Sequence, residues 1–298
     1  MDAILNIHKP SGPTSFAVVA RVKRLTGERR VGHGGTLDPL ASGVLPVFLG
    51  RATRLAEYLM EYPKTYHATV ELGAATDTYD AEGSVTSRSD ISNITLKDVE
   101  TALEKFRGEI RQRPPVYSAL KQGGQPLHRL ARRGQNVEVE SRPVTVYRLE
   151  ILAFELPRLT LEVECSKGTY IRSLAHDLGA ALGCGGHLAG LVRTAYGPFD
   201  ITDAVTLEQL ESGIQDGAWW GLIKPMDCVL SRWEKITLDA EQAQAVLGGK
   251  GITLNQAVET RRLRAYDTNG VFLALLQYEP DEARWRPYRV FAPQASSP

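Results

Sequence analysis

Residues 32–43 read Gly-His-Gly-Gly-Thr-Leu-Asp-Pro-Leu-Ala-Ser-Gly, a run in which four glycines surround one carboxylate, Asp38. Glycine permits tight turns, and Pro39 stiffens the chain directly after the carboxylate. The run matches neither the GxxxxGK(S/T) phosphate-binding loop nor the GxGxxG nucleotide fingerprint. It therefore predicts a rigid loop at a cleft, in which Asp38 either caps the turn or acts as a reactive group.

The sequence around this loop indicates an α+β fold. Residues 44–49 have the continuous apolar character of a strand buried on both faces, and residues 65–72 alternate as a half-buried strand with Tyr66 on the apolar face. The other predicted elements are strands at 3–7, 142–156, 159–166 and about 188–199, and helices at about 95–106 and 169–182. Because strands outnumber helices and follow one another as hairpins, we expect a mixed, mainly antiparallel sheet rather than a doubly wound one.

A helix is predicted just before the glycine-rich loop. Thr14 or Ser15 supplies its N-cap, and apolar residues follow at helical spacing. We expect four of them to face the core: Phe16, Val19, Val22 and Leu25.

The chain changes character after Pro225. The elements predicted there are a short helix near 240–246 and strands around 261–267, 271–278 and 287–291. We therefore expect a large domain over residues 1–228 and a small β-rich module over residues 229–298.

Composition predicts a soluble protein. Of the 298 residues, 43% are hydrophobic and 23% are charged. No run approaches the roughly 20 apolar residues of a membrane helix, and the N-terminus lacks a signal-peptide pattern, so we expect a cytoplasmic protein with no membrane partner. The lack of an apolar surface stripe favours a monomer.

The sequence contains three cysteines: Cys165, Cys184 and Cys228. Because they form no CxxC pair, we expect reduced, buried thiols and no metal site.

Charge is balanced overall but divided along the chain. The 35 basic and 35 acidic residues cancel, so bulk charge does not indicate a nucleic-acid partner. From Arg107 to Arg148, however, nine basic residues stand against three acidic ones, whereas from Glu71 to Glu104 eight acidic residues stand against two basic ones. This segregation is typical of a protein with one face for a polyanion and another for water.

The glycine-rich loop resembles the catalytic motif of TruB-type tRNA pseudouridine-55 synthases, in which the aspartate is the nucleophile. Other segments of that family occur in the same order and spacing, and together they cover residues 4 to about 200. They are Lys9-Pro10-x-Gly12-x-Thr14-Ser15, Lys64-Thr65-Tyr66, Thr76-Asp77-Thr78-Tyr79-Asp80, Pro115-Val116-Tyr117-Ser118-Ala119-Leu120-Lys121 and Cys165-Ser166-Lys167-Gly168-Thr169-Tyr170-Ile171-Arg172-Ser173-Leu174. The resemblance favours the catalytic reading of Asp38 and implies a catalytic domain of the pseudouridine-synthase type.

This resemblance implies an enzyme that isomerises uridine 55 in the T-loop of tRNA and needs neither cofactor nor metal. An ionised Asp38 attacks either C1′ of the sugar or C6 of the flipped-out base, and the sequence does not separate these routes. Arg172 is the implied partner, because a guanidinium favours the charged carboxylate. Tyr66 matches the family's active-site tyrosine, whose ring stacks on the detached uracil.

The same resemblance assigns the binding residues. Tyr170 and Leu191 match positions that line the uridine pocket, and His33 matches a histidine that contacts the extruded RNA. Asp80 is expected to pair with a basic residue beside the site, and Lys9 has a supporting role. Phosphate contacts are expected from the basic stretch, especially from Lys121, Arg129, Arg132 and Arg133. The C-terminal module resembles a PUA domain, which would contact the acceptor-stem end of the tRNA.

Two departures and two alternative functions remain. The family often has threonine where Gly34 stands, and a tyrosine near His128. The alternatives are a tRNA-folding chaperone that uses the same surface without catalysis, and an N-glycosidase that uses Asp38 to release the base.

Overall fold

The computed structural model describes residues 1–117, 121–122, 125–126, 139–254 and 260–291. The strands in these ranges are β1 (Ala3–Lys9), β2 (Val31–His33), β3 (Ala41–Leu49), β4 (Lys64–Leu72), β5 (Ala74–Thr76), β6 (Val85–Arg88), β7 (Gly108–Gln112), β8 (Lys121–Gln122), β9 (Gln125–Pro126), β10 (Arg142–Glu155), β11 (Arg158–Cys165), β12 (Gly186–Tyr196), β13 (Phe199–Asp200), β14 (Ile223–Pro225), β15 (Glu234–Thr237), β16 (Arg262–Tyr266), β17 (Phe272–Glu279) and β18 (Arg284–Val290). The α-helices are α1 (Ser15–Thr26), α2 (Ala56–Leu59), α3 (Leu96–Leu103), α4 (Ile171–Ala181), α5 (Leu207–Gln215) and α6 (Ala240–Leu247). Short 3-10 helices lie at Gly50–Leu55, Glu104–Phe106, Ile201–Asp203, Trp219–Leu222, Met226–Leu230 and Pro280–Glu282.

One mixed sheet of ten strands organises the large part of the chain. Its order is β14, β1, β3, β12, β4, β11, β10, β7, with β2 paired to β3 and β13 paired to β12. The pair β3–β12 is parallel, and the other pairs are antiparallel. The expected α+β fold with a mainly antiparallel sheet is confirmed.

The centre of this sheet brings together segments that are distant in sequence. Strand β12 lies between β3 and β4, so that Arg193 is opposite Gly43 on one side and opposite Tyr66 on the other. On β3, residues 43–49 are all buried, as expected of a strand covered on both faces. The ends of these three strands therefore surround the loop that precedes β3.

Helix α1 packs on the sheet with a different face from the one predicted. Thr14 is its N-cap and accepts a hydrogen bond from the Ala17 amide at 3.1 Å. The buried residues are Ser15, Val18, Val19 and Val22. The prediction that Phe16 faces the core is wrong, because its side chain is 78% exposed. Val18, which the prediction omitted, occupies the inward position, and this rotates Phe16 to the outer side of the helix.

A small second sheet forms the C-terminal module, in the order β15, β16, β17, β18. Helix α6 contacts strands β17 and β18 of this sheet. The module is also joined to the large part by a shared apolar cluster, in which Phe272 and Phe291 pack with Leu55 and Leu59. A β-rich C-terminal module is therefore present, and it is seated on the segment that includes α2.

Gly43 offers a test of the packing between β3 and β12. Its φ is +99°, and a Cβ at this position would lie 2.2 Å from the backbone oxygen of Arg193. Gly12 has a similar φ of +107°, but a Cβ there would meet nothing within 4 Å. We predict that Gly12→Ala lowers the free energy of unfolding by about 1–2 kcal/mol, through left-handed strain alone, and Gly43→Ala by about 2–5 kcal/mol.

Urea unfolding of both variants measures this difference. A cost for Gly43→Ala that is no larger than the cost for Gly12→Ala would contradict the close approach of β3 and β12.

Candidate active site

Asp38 lies in the loop between β2 and β3, and hydrogen bonds from the preceding segment hold this loop. The Ser15 hydroxyl donates to the Leu37 carbonyl at 2.9 Å and accepts from the Leu37 amide at 2.8 Å. The Gly12 amide donates to the Pro39 carbonyl at 2.8 Å. Both residues that flank Asp38 are thus fixed through their backbone.

Lys9 holds the same loop through hydrogen bonds to its backbone. Its side chain is buried, and its ammonium donates to the carbonyl oxygens of Pro39 and Ala41 at 3.3 and 2.6 Å, and to that of Pro10 at 3.0 Å. Burial lowers the pKa of Lys9, and the nearby Asp38 carboxylate acts in the opposite direction. Because a buried ammonium needs its hydrogen bonds, Lys9 keeps these carbonyl groups turned inward.

Arg172 joins Asp38 to Asp80. Its Nη2 lies 3.0 Å from Oδ2 of Asp38, and its Nη1 lies 3.2 Å from Oδ2 of Asp80. Nη2 also donates to the carbonyl oxygen of Tyr117 at 3.0 Å. The Asp80 side chain is 5% exposed, whereas that of Asp38 is 42% exposed. The guanidinium is therefore fixed by a buried carboxylate, and it holds a second carboxylate that stays accessible.

Asp80 has further contacts that fix its own position. Its Oδ1 accepts from the Thr78 hydroxyl at 2.6 Å and from the Glu82 amide at 3.1 Å. The neighbouring Tyr79 has a φ of +66°, and its ring stacks on His176 with the centroids 3.8 Å apart. This stack, which sequence reasoning missed, holds the unusual backbone that turns Asp80 toward Arg172.

Tyr66 occupies the buried face of β4, next to the charged groups. Burial raises its pKa to about 12, the Arg193 guanidinium lowers it, and the Asp38 carboxylate acts to raise it. The hydroxyl is therefore protonated at neutral pH and can donate a proton or a hydrogen bond. The placement of Tyr66 on the apolar face is as predicted.

Arg193 and Tyr196 also hold the glycine-rich loop, and the sequence analysis did not identify either. The buried Arg193 donates from Nε to the Val44 carbonyl at 2.7 Å and from Nη2 to the Gly35 carbonyl at 3.1 Å. The Tyr196 hydroxyl donates to the Gly34 carbonyl at 2.8 Å. The available signal was an arginine within the mainly apolar run of β12, where a charge is costly unless it is bound.

Packing explains the glycine at position 34. A Cβ there would lie 2.6 Å from Cδ2 of Leu59 and 3.0 Å from Cε2 of Phe48. A larger residue would require these two buried side chains to move. Close packing around the loop therefore favours glycine over the threonine that the family often has at this position.

The sequence analysis also predicted three residues that bind the uridine or the RNA around it: His33, Leu191 and Tyr170. His33 is half-buried, and its Nδ1 accepts from the Gly35 amide at 3.2 Å, which leaves the ring proton on Nε2. Burial and the nearby Arg193 lower the pKa of His33, so the ring is neutral at physiological pH. Leu191 is half-buried on β12, opposite Ala68 of β4 and Ala41 of β3.

Tyr170 is also half-buried and is the N-cap residue of α4, the helix that contains Arg172. The buried Gln112 side chain accepts from the Tyr170 amide at 2.7 Å and donates to the Tyr170 carbonyl at 3.0 Å. Gln112, another residue that the sequence analysis missed, thus sets the backbone at the start of α4.

The structure does not describe several of the residues that the sequence analysis singled out. Arg129, Arg132, Arg133 and His128 lie outside the described residues, and for Lys121 the structure describes only the backbone of β8. In the described ranges, no group of three or more His, Cys, Asp or Glu side chains could hold a metal ion. Likewise, no helix within those ranges has the length and apolar character required to cross a bilayer. The three cysteines are free thiols, but Cys228 is only half-buried, not buried as expected.

Two family models match the chain. One, described as "TruB family pseudouridylate synthase (N terminal domain)", matches residues 23–171, and the other, described as "tRNA pseudouridylate synthase B C-terminal domain", matches residues 172–231. The chain belongs to the TruB family of pseudouridylate synthases. The resemblance inferred from the motifs is therefore confirmed.

TruB family relatives align over nearly the whole chain. A protein from Dehalococcoides mccartyi named "tRNA pseudouridine synthase B" is 45% identical over 298 residues, 100% of this chain and 99% of the relative. A protein of the same name from Pseudomonas aeruginosa is 42% identical over 293 residues, 97% of this chain and 96% of the relative. The solved "Structure of H/ACA RNP bound to a substrate RNA containing 2'-deoxyuridine" is similar with a TM-score of 0.75 and 28% identity, and the match covers 99% of this chain and 87% of that chain.

The contact between Arg172 and Asp80 gives a prediction about stability. Arg172→Gln leaves the buried Asp80 carboxylate without its cation, and we expect the free energy of unfolding to fall by about 3–5 kcal/mol. In the double variant Arg172→Gln/Asp80→Asn no buried charge is left unpaired, so part of the loss should be recovered. Urea unfolding of the two single variants and the double variant measures this coupling. Purely additive effects would contradict the contact.

Proposed function

We propose that this chain converts uridine 55 in the T-loop of tRNA to pseudouridine, with Asp38 as the nucleophile. The observation that carries the proposal is the accessible carboxylate of Asp38, held at 3.0 Å by a guanidinium that is itself anchored on the buried Asp80. The relatives' name, "tRNA pseudouridine synthase B", supports tRNA as the substrate.

The reaction exchanges one bond to the sugar for another. The bond from C1′ to N1 breaks, the uracil turns, a bond from C1′ to C5 forms, C5 loses its proton and N1 gains one. Asp38 acts either by attack on C1′ or by addition to C6, and in both routes it must be ionised. Arg172 pairs with this carboxylate, with Nη2 at 3.0 Å from Oδ2 of Asp38. No oxidant, reductant or cofactor enters the atom balance.

The remaining residues retain and orient the base. We assign Tyr66, Tyr170 and Leu191 to the walls of the uridine pocket, where exclusion of water keeps the detached uracil in place. The protonated hydroxyl of Tyr66 is available to help move the C5 proton. His33, with its proton on Nε2, offers a hydrogen bond to the extruded nucleotide.

The wider assignments follow from the same proposal. Residues 1–228 form the catalytic domain, and residues 229–298 form a PUA-like module that binds RNA beyond the T-stem loop. Four cations of the basic stretch contact phosphates: Lys121, Arg129, Arg132 and Arg133. We place the protein in the cytoplasm as a monomer, acting without metal or other cofactor.

The first test is the Asp38→Asn variant, with tRNA transcripts that carry tritium at C5 of uridine. We predict that wild type releases tritium and that Asp38→Asn lowers this rate by more than about 10³-fold, because a neutral amide is not a nucleophile. Filter binding should show that the variant still binds tRNA. The control is Asp90→Asn, which neutralises an exposed carboxylate elsewhere and should retain the wild-type rate.

Several outcomes would contradict particular parts of the proposal. Continued release from a transcript with cytidine at position 55 would remove the assignment to uridine 55. Loss of turnover with EDTA would contradict a cofactor-free reaction. Free uracil together with an abasic site would indicate an N-glycosidase, and complementation in cells by Asp38→Asn would indicate that a tRNA-folding role dominates.

A further inference from the structure

The outer face of helix α1 carries an exposed aromatic residue and a group of cations that the proposed reaction does not use. Residues 21–30 contain five basic residues and one acidic residue. Arg21 is paired with Glu211, and Glu28 with the N-terminal amine. The other four cations are exposed and, among the described residues, have no carboxylate within 4.0 Å: Lys23, Arg24, Arg29 and Arg30.

The position of α1 relates this surface to Asp38. The helix begins at Ser15, whose hydroxyl makes both hydrogen bonds to the backbone of Leu37, the residue before Asp38. Phe16, a residue that is 78% exposed, comes next along the helix. The chain then runs away from the site for 12 residues, about 18 Å, and returns through β2 to His33. The backbone of Phe16 therefore directly follows the residue that holds the Asp38 loop, and the four cations are near the far end of α1.

This arrangement fits a folded RNA whose target base is at Asp38. Phosphate contacts hold a nucleic acid in register, and exposed aromatic rings stack on unpaired bases. An unpaired loop would lie beside Phe16. The paired stem next to it would lie about 10–20 Å from Phe16, beside the four cations. Basic residues in the last turn of a helix also interact favourably with the helix dipole. This effect accounts for Lys23 and Arg24, but not for Arg29 and Arg30, which lie beyond the end of the helix.

We propose that the outer face of α1, continued by Arg29 and Arg30, binds the phosphate backbone of the stem that carries the target uridine, while Phe16 stacks on an unpaired base beside the flipped nucleotide. We call this surface, Phe16 with Lys23, Arg24, Arg29 and Arg30, the α1 strip. The choice of a T-stem loop as the RNA rests on the proposed function, whereas the surface itself rests on the position and charge of α1.

The cations are tested with Lys23→Gln/Arg24→Gln and a fluorescently labelled T-stem loop, whose Kd is measured by anisotropy at several salt concentrations. We predict about a tenfold rise in Kd and a fall of about 2 in the slope of log K against log salt concentration, one for each lost phosphate contact. With saturating RNA, kcat should be unchanged and only KM should rise. The matched control is Lys97→Gln/Lys105→Gln, which removes two exposed lysines, one within the acidic segment 71–104 and one directly after it.

Phe16 is tested with a pair of substitutions. Phe16→Leu removes the aromatic ring but keeps an apolar side chain, and we expect it to raise Kd about tenfold. Phe16→Tyr keeps the ring and should bind as wild type does. An equal Kd for the Leu and Tyr variants would overturn the stacking role.

Shortening the RNA separates the two parts of the strip. With a loop closed by only two base pairs, wild type and Lys23→Gln/Arg24→Gln should have the same Kd, because the phosphates that these residues contact are gone. Phe16→Leu should still bind this short RNA more weakly than wild type. A Lys23→Gln/Arg24→Gln effect that persists on the short RNA, or a salt slope equal to that of the control, would overturn the proposal for the stem.

The Kd measurements do not depend on turnover. Should wild type bind with the predicted salt slope but release no tritium, the proposed function would fail and the α1 strip would stand. Should wild type be active while the Lys23→Gln/Arg24→Gln variant behaves like its control, the strip would fail and the function would stand.

Discussion

The guanidinium of Arg172 lies between two carboxylates of unequal exposure, and the order of the site depends on that difference. Asp80 is almost fully buried and is held by the Thr78 hydroxyl and the Glu82 amide, so it anchors the cation. Asp38 is accessible and receives the other end of the guanidinium. An anchored cation positions the accessible carboxylate before any substrate arrives, which is the preorganisation that charge-stabilising sites require.

The loop itself is held by groups that bind its carbonyl oxygens. Lys9 binds those of Pro39 and Ala41, while Arg193 binds that of Gly35 and Tyr196 binds that of Gly34. These contacts hold the loop backbone both before and after Asp38. Buried cations also lower the pKa of their neighbours, as Arg193 does for His33 after the larger effect of burial. Arg193 thus affects both the backbone of the loop and the protonation of His33.

Packing connects the C-terminal module to this loop. Phe272 and Phe291 of the module share an apolar cluster with Leu59. Leu59 in turn lies against Gly34, where a Cβ would be only 2.6 Å from its Cδ2. A module that binds RNA away from the site would therefore have its orientation relative to Asp38 set by direct contact rather than by a linker.

Short-range periodicity in the sequence was sufficient for the long strands of the large sheet, for most of the helices and for the placement of Tyr66 on a buried strand face. The ordered motifs were sufficient to pair Arg172 with Asp38. The tertiary structure alone decided the rest. Phe16 faces outward because Val18 packs against the sheet, and Arg193 reaches the loop because β12 lies beside β3. Strand order and helix rotation depend on contacts between residues far apart in the chain, and no local pattern encodes those contacts.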